Sequence, residues 1–199
     1  ITIINEPIGS LEIYSKDIGP GNCLIDAWVR KNSNEKFDRD GLFALSGKKD
    51  KIIYDQAQEL YLNRIDKNKL SFDVNDFDIS FSRGLSLENG ATTLTDFTAS
   101  LIGESLYSSI KNLNNKIKDI NVCGGGRKNK VLLNKIKEYL PTSINIKLID
   151  DHGVQGDFVE SQAFAFLAIR SILKLPISFP NTTGCKQPST GGEIVTNLY

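Results

Sequence analysis

Ile120-Asn121-Val122-Cys123-Gly124-Gly125-Gly126 runs from an apolar segment straight into three glycines. The first four residues predict a short buried strand, and the glycines predict a turn. Leu132, Leu133, Ile136 and Leu140 then recur at helical spacing and predict a helix that ends before Pro141. Residues 144–149 alternate as a second strand. The loop Asp150-Asp151-His152-Gly153-Val154-Gln155-Gly156 leads to a further helix beginning near Asp157. Its apolar stripe is Val159, Ala163, Phe166, Ile169 and Leu173, with Arg170 at the edge. The tail beyond Pro176 is rich in Pro, Gly and Thr.

Upstream, Leu94, Phe97, Leu101, Ile110 and Leu113 fit one helical face, with Thr92 or Thr93 placed to cap its start. Residues 37–90 alternate short amphipathic pieces with polar links. A helix is predicted over 52–62, and 66–90 is the least readable part. Residues 23–29 predict a short helix entered from the loop Asp17-Ile18-Gly19-Pro20-Gly21-Asn22. The opening predicts a hairpin, residues 1–4 and 11–14 around a turn at 5–9. A strand hairpin followed by α-β-α-β-α predicts one α/β domain, a mixed sheet with helices packed on it.

The chain has 199 residues, enough for one large domain. Lys+Arg and Asp+Glu each number 24, so the net charge is zero and a broad basic face for nucleic acid is disfavoured. No apolar run approaches the ~20 residues of a membrane span. Cys23, Cys123 and Cys185 are odd in number and far apart, which argues against a disulfide framework or a zinc site and for a reducing compartment. There is no methionine, and the chain opens inside a strand-like run, so it reads as a fragment or processed product. Lys48-Lys49-Asp50-Lys51 reads as a solvated turn.

Several places could carry chemistry. Glycines 124, 125 and 126 between a strand and a helix let a ligand approach the backbone, and the helix start offers free N–H groups to a phosphate or nucleotide edge. A plain strand–helix turn is the competing reading. The pattern is neither a G-x-x-x-x-G-K-[ST] phosphate loop nor G-x-G-x-x-G, since Asn129 stands where the third glycine belongs. Asp17 beside the Gly19–Asn22 turn suits a Mg²⁺–phosphate site, with a hard oxygen for the metal and amides for the phosphate. Equally, Asp17 can be a turn former and Asn22 a helix N-cap. Glu160 near a helix start either caps it or holds a ligand hydroxyl. His152, the one histidine, reads as solvent-facing. Trp28 reads as core, and Cys23 and Cys123 read as small buried hydrophobes.

Together these segments resemble the bacterial anhydro-N-acetylmuramic acid kinases. Asp17-Ile18-Gly19-Pro20-Gly21-Asn22-Cys23-Leu24-Ile25-Asp26-Ala27-Trp28 is similar to their D-T-G-P-G-N-x-L-x-D-x-W segment. Val122-Cys123-Gly124-Gly125-Gly126-Arg127-Lys128-Asn129 is similar to V-C-G-G-G-x-x-N. The run from Gly153 to Ala165 is similar to G-x-x-G-D-x-x-E-A-x-A-F-A, and the tail from Thr183 to Gly192 to the closing T-G-A…L-G. Ser82-Arg83-Gly84-Leu85 departs from the family's T-G-R-E.

The resemblance implies the C-terminal lobe of the actin-like ATPase, ribonuclease H-like, fold of the sugar kinases. It implies a cytoplasmic enzyme of peptidoglycan recycling that uses ATP and Mg²⁺. Such an enzyme opens the 1,6-anhydro ring of anhydro-N-acetylmuramic acid with water and phosphorylates O6. In that scheme Gly124, Gly125, Gly126 and Asn129 flank the adenosine. Asp17, Gly19, Gly21 and Asn22 face the phosphates, with Asp17 a candidate metal residue through water, and Glu160 reaches the sugar. The family's first phosphate loop and its water-activating Asp belong to an N-terminal lobe missing from this sequence, so no catalytic residue is assigned here and the chain alone is expected to be inactive. Family members are often dimers. A different class of function stays open, a non-catalytic binding or assembly module that keeps the lobe fold.

Overall fold

The computed structural model describes residues 1–5, 12–64, 77–111 and 117–195. The strands are β1 (Thr2–Asn5), β2 (Glu12–Ser15), β3 (Asp119–Val122) and β4 (Asn145–Leu148). The helices are α1 (Cys23–Asn32), α2 (Leu42–Ser46), α3 (Lys51–Arg64), α4 (Leu87–Lys111), α5 (Lys130–Glu138), α6 (Val159–Ile172) and α7 (Pro180–Thr183). The class is mixed α/β. Among the described residues the antiparallel and parallel pairings sit in separate two-stranded sheets, β1–β2 and β3–β4. The chain divides into two compact units, Ile18–Gly156 and Ile1–Asp17 with Asp157–Tyr199.

The core of the larger unit is α4, against which α1, α2, α3 and α5 all pack. Leu94, Phe97, Leu101 and Ile110 are buried on it as their spacing predicts, and Leu113 lies outside the described residues. Thr92 and Thr93 do not cap this helix; they lie inside it. The helix begins at Leu87, and the Ser86 hydroxyl accepts from the Asn89 N–H at 3.2 Å. The first turn is too polar to join the apolar period, which hid the true start. Of the buried threonines, Thr92 Oγ1 donates to the Ala44 carbonyl at 2.8 Å and Thr93 Oγ1 to the Asn89 carbonyl at 2.8 Å, while the Thr95 and Thr98 hydroxyls have no partner among the described groups. Trp28 is core, with its indole N–H donating to the Leu87 carbonyl at 2.9 Å.

A buried carboxylate fixes the start of α2. Asp38 is 4% exposed and accepts from the backbone N–H groups of Phe43 at 2.8 Å and Ala44 at 3.0 Å. Those amides have no partner inside the helix. Asp38→Ala is therefore expected to cost about 1–3 kcal/mol, read as a lower urea midpoint.

β3 and β4 pair in parallel, with Ile120 opposite Ile146 and Val122 opposite Leu148. β3 is not the buried strand its composition predicts. Asp119 and Asn121 are exposed, and Ile120 and Val122 are half-buried. One face is open, and there Asp119 bonds Lys147 Nζ at 2.9 Å and the Asn145 amide at 3.1 Å. Lys147, above all, draws the Asp119 carboxyl below the usual carboxylate range. Cys123 is likewise exposed, against its reading as a buried hydrophobe, while Cys23 is half-buried and burial raises its thiol pKa.

In the smaller unit β1 and β2 pair antiparallel, Thr2 opposite Ser15, with α7 beside β2. The hairpin turn lies outside the described residues. The apolar stripe of α6 forms as a helix but is not buried: Phe166 is 58% exposed, Ile169 57% and Leu173 61%. The sequence period reveals which residues seek cover, not what supplies it. Arg170 Nε donates to the Pro176 carbonyl at 2.6 Å, and its guanidinium lies 5.5 Å from the Phe166 ring centroid. No helix among the described residues is long and apolar enough to cross a membrane.

Candidate functional site

Two of the sequence motifs meet inside the larger unit. Asn22 ends the Gly-Pro-Gly turn and Gly126 ends the glycine run. A Cβ added at Gly126 would meet Asn22, at 3.8 Å from Oδ1 and 4.0 Å from Nδ2. Around this contact the backbone is bare. Among the described residues, and apart from the flanking ones, nothing lies within 4 Å of a Cβ built at Gly124, Gly125 or Gly21. Gly124 has φ +74 and ψ −178, a conformation open to glycine and strained for any side chain. The turn thus presents main chain, with room for a ligand where side chains would stand.

Asn22 occupies the N-cap position of α1 but does not cap it with its side chain. Its Oδ1 is instead buried without a hydrogen-bond partner among the described groups. An orphaned carboxamide oxygen calls for a donor. Asn129 differs. It is 3% exposed, and its Oδ1 accepts from the Leu132 N–H at 3.0 Å, capping α5. Gly19 is explained by packing, since a Cβ there would stand 2.9 Å from Ile102 Cγ1 of α4. Asp17 and Glu160 belong to the smaller unit, where both are exposed, Glu160 in the first turn of α6. His152 is exposed on the loop after β4, its Nε2 2.9 Å from Asn121 Oδ1. No group of three or more metal-ligating side chains occurs among the described residues.

Arg127, which sequence reasoning passed over, is 6% exposed. Its Nε donates to Asp150 Oδ2 at 2.7 Å, its Nη2 to Oδ1 at 3.1 Å, and its Nη1 to the Gly124 carbonyl at 3.0 Å. Asp150 Oδ1 also accepts the Gly156 N–H at 3.2 Å, and the Gly124 N–H donates to the Gly156 carbonyl at 3.1 Å. Arg127, chiefly, holds the Asp150 carboxyl below its ordinary pKa. No motif flags this pair, because 23 residues separate partners that each look like loop charges.

A model of the anhydro-N-acetylmuramic acid kinase family matches residues 5–197. The anhydro-N-acetylmuramic acid kinase of Pelagibacter ubique strain HTCC1062 is 52% identical over 186 residues, covering 94% of this chain and 50% of that protein. The one from Brucella anthropi is 40% identical over 191 residues, covering 94% and 48%, and the one from Caulobacter vibrioides 35% over 184, covering 92% and 48%. The chain spans about half the length of these curated relatives.

Proposed function

Because the chain belongs to the anhydro-N-acetylmuramic acid kinase family, we propose that it forms the nucleotide-side part of an ATP-dependent sugar kinase. The reaction proposed is conversion of 1,6-anhydro-N-acetylmuramic acid and water to N-acetylmuramic acid 6-phosphate, in cytoplasmic peptidoglycan recycling. The observation that carries the nucleotide role is the bare corner at Gly124 and Gly125 with Asn22 laid against Gly126. Phosphoryl transfer is mostly positioning and charge stabilisation, so backbone that lets a ligand approach closely is the chemistry this half must supply.

In this reading the Gly124–Gly126 main chain flanks the adenosine. Asn129 contributes by capping α5 and so fixing the end of the turn. Asn22 Oδ1 lacks a donor, and phosphate oxygens offer none at neutral pH. In this reading a ribose hydroxyl, a base amino group or a water supplies that donor, with the space beside Gly21 open. Asp17 would hold Mg²⁺ through water, and Glu160 a sugar hydroxyl. Magnesium, when bound, would neutralise the phosphate charge. In this reading the water-activating carboxylate lies in the half of the relatives' length that this chain does not span, so the chain alone is expected to turn over no sugar.

Titration of the folded chain with Mg·ATP tests this. Amide resonances of Gly124, Gly125, Gly126 and Asn22 are expected to shift together. A folded chain silent at these four residues would overturn the nucleotide role and favour an assembly module.

A further inference from the structure

We propose that Arg127 is the positioning residue of the nucleotide corner, an inference that rests on the nucleotide reading above. The bonds around it close a ring. Arg127 holds the Gly124 carbonyl, Gly124 N–H holds the Gly156 carbonyl, Gly156 N–H holds Asp150, and Asp150 takes the guanidinium back through both oxygens. Gly124 is thus gripped at its N–H and its carbonyl, and both grips trace to the loop after β4.

The ring explains how an open turn stays open. A glycine with φ +74 has wide freedom in an unconstrained chain, and at its neighbour Gly125 no described residue beyond the flanking ones comes within 4 Å of where a Cβ would stand. Left alone, such a turn would sample many conformations, and a ligand would bear the cost of ordering it. A buried, planar guanidinium with fixed donor directions can hold a carboxylate through two bonds and the carbonyl through a third. Lysine, a compact charge with one nitrogen, cannot reproduce that fork. The ring also demands glycine at 156, where an added Cβ would fall inside contact distance of Arg127 Nε.

The test compares Mg·ATP affinity, by calorimetry on the folded chain, for wild type, Arg127→Lys, Asp150→Asn and Gly156→Ala. Asp119→Asn, which breaks the exposed Asp119–Lys147 pair of the same strand pair, serves as control. Asp150 itself is exposed, but removing the partner of the buried Arg127 guanidinium can weaken the fold. Binding is therefore read at low temperature with folding checked by circular dichroism, and hydrogen exchange of the Gly124 amide is read without ligand. Each of the three ring variants is expected to lose about tenfold or more in affinity. Gly124 exchange should quicken in each, while the α4 amides keep their protection. The control should match wild type in both. Wild-type affinity in Arg127→Lys and Asp150→Asn, with Gly124 exchange unchanged, overturns the inference. Failure of the wild-type chain itself to bind overturns the nucleotide reading first, and the inference with it.

Discussion

Gly90→Ala is expected to destabilise the protein by about 1–3 kcal/mol, the range for overpacking a filled core. The sign is the informative part. Alanine is the better helix former by about 1 kcal/mol, so in an exposed helix the same change would stabilise. Gly90 sits within α4 where the helix meets Trp28, and a Cβ there would fall inside contact distance of the indole atoms Cε2, Cζ2 and Nε1. The ring cannot swing away cheaply. It is 3% exposed, and its N–H is committed to the Leu87 carbonyl at 2.9 Å. Urea denaturation should show a lower midpoint with an unchanged slope. In a Trp28→Phe background the smaller ring leaves room, so the cost of Gly90→Ala should shrink by about 1 kcal/mol or more. Strict additivity of the two changes would mean that the α1–α4 approach is not set by this contact.

The contact also shows what a sequence reader can and cannot see. Trp28 reads as core from its apolar neighbours, and the helix around it appears where its period predicts. Gly90 carries no such mark. A glycine inside a polar stretch looks like a loop signal, and only the partner helix reveals it as a packing notch. The same limit hid the start of α4, because Ser86 caps a turn whose own residues are polar. Periodicity reports the face an element would bury, and α5, with Leu132 and Ile136 buried, follows it. It does not report what covers that face, and α6 shows the difference, with its stripe formed and open. The glycine corner itself was legible as bare backbone between a strand and a helix. That Asn22 would lie against it, and that Arg127 and Asp150 would clasp it, depended on contacts across long stretches of chain. No local pattern encodes those.

Gly125→Val is expected to separate binding from folding. Among the described residues, and apart from the flanking ones, nothing lies within 4 Å of a Cβ at this position, so the Cβ of valine meets no neighbour, and stability should stay within about 0.5 kcal/mol of wild type. The branched side chain would instead occupy the space that the proposed nucleotide needs. Mg·ATP affinity should then fall by about a hundredfold, equivalent to ~2.7 kcal/mol. Gly124→Ala provides the contrast. Its Cβ also meets no described residue beyond the flanking ones, but the residue sits at φ +74 and ψ −178, where an L side chain is strained by roughly 1–3 kcal/mol. That variant should therefore lose stability as well as affinity. Two adjacent glycines, each with open space around it, are thus expected to respond differently because one serves the ligand and the other serves both ligand and backbone. Calorimetric titration and a denaturation curve on each variant separate the cases. Wild-type affinity in Gly125→Val would remove the nucleotide from this corner. A stability loss there equal to that of Gly124→Ala would show that the space is not open.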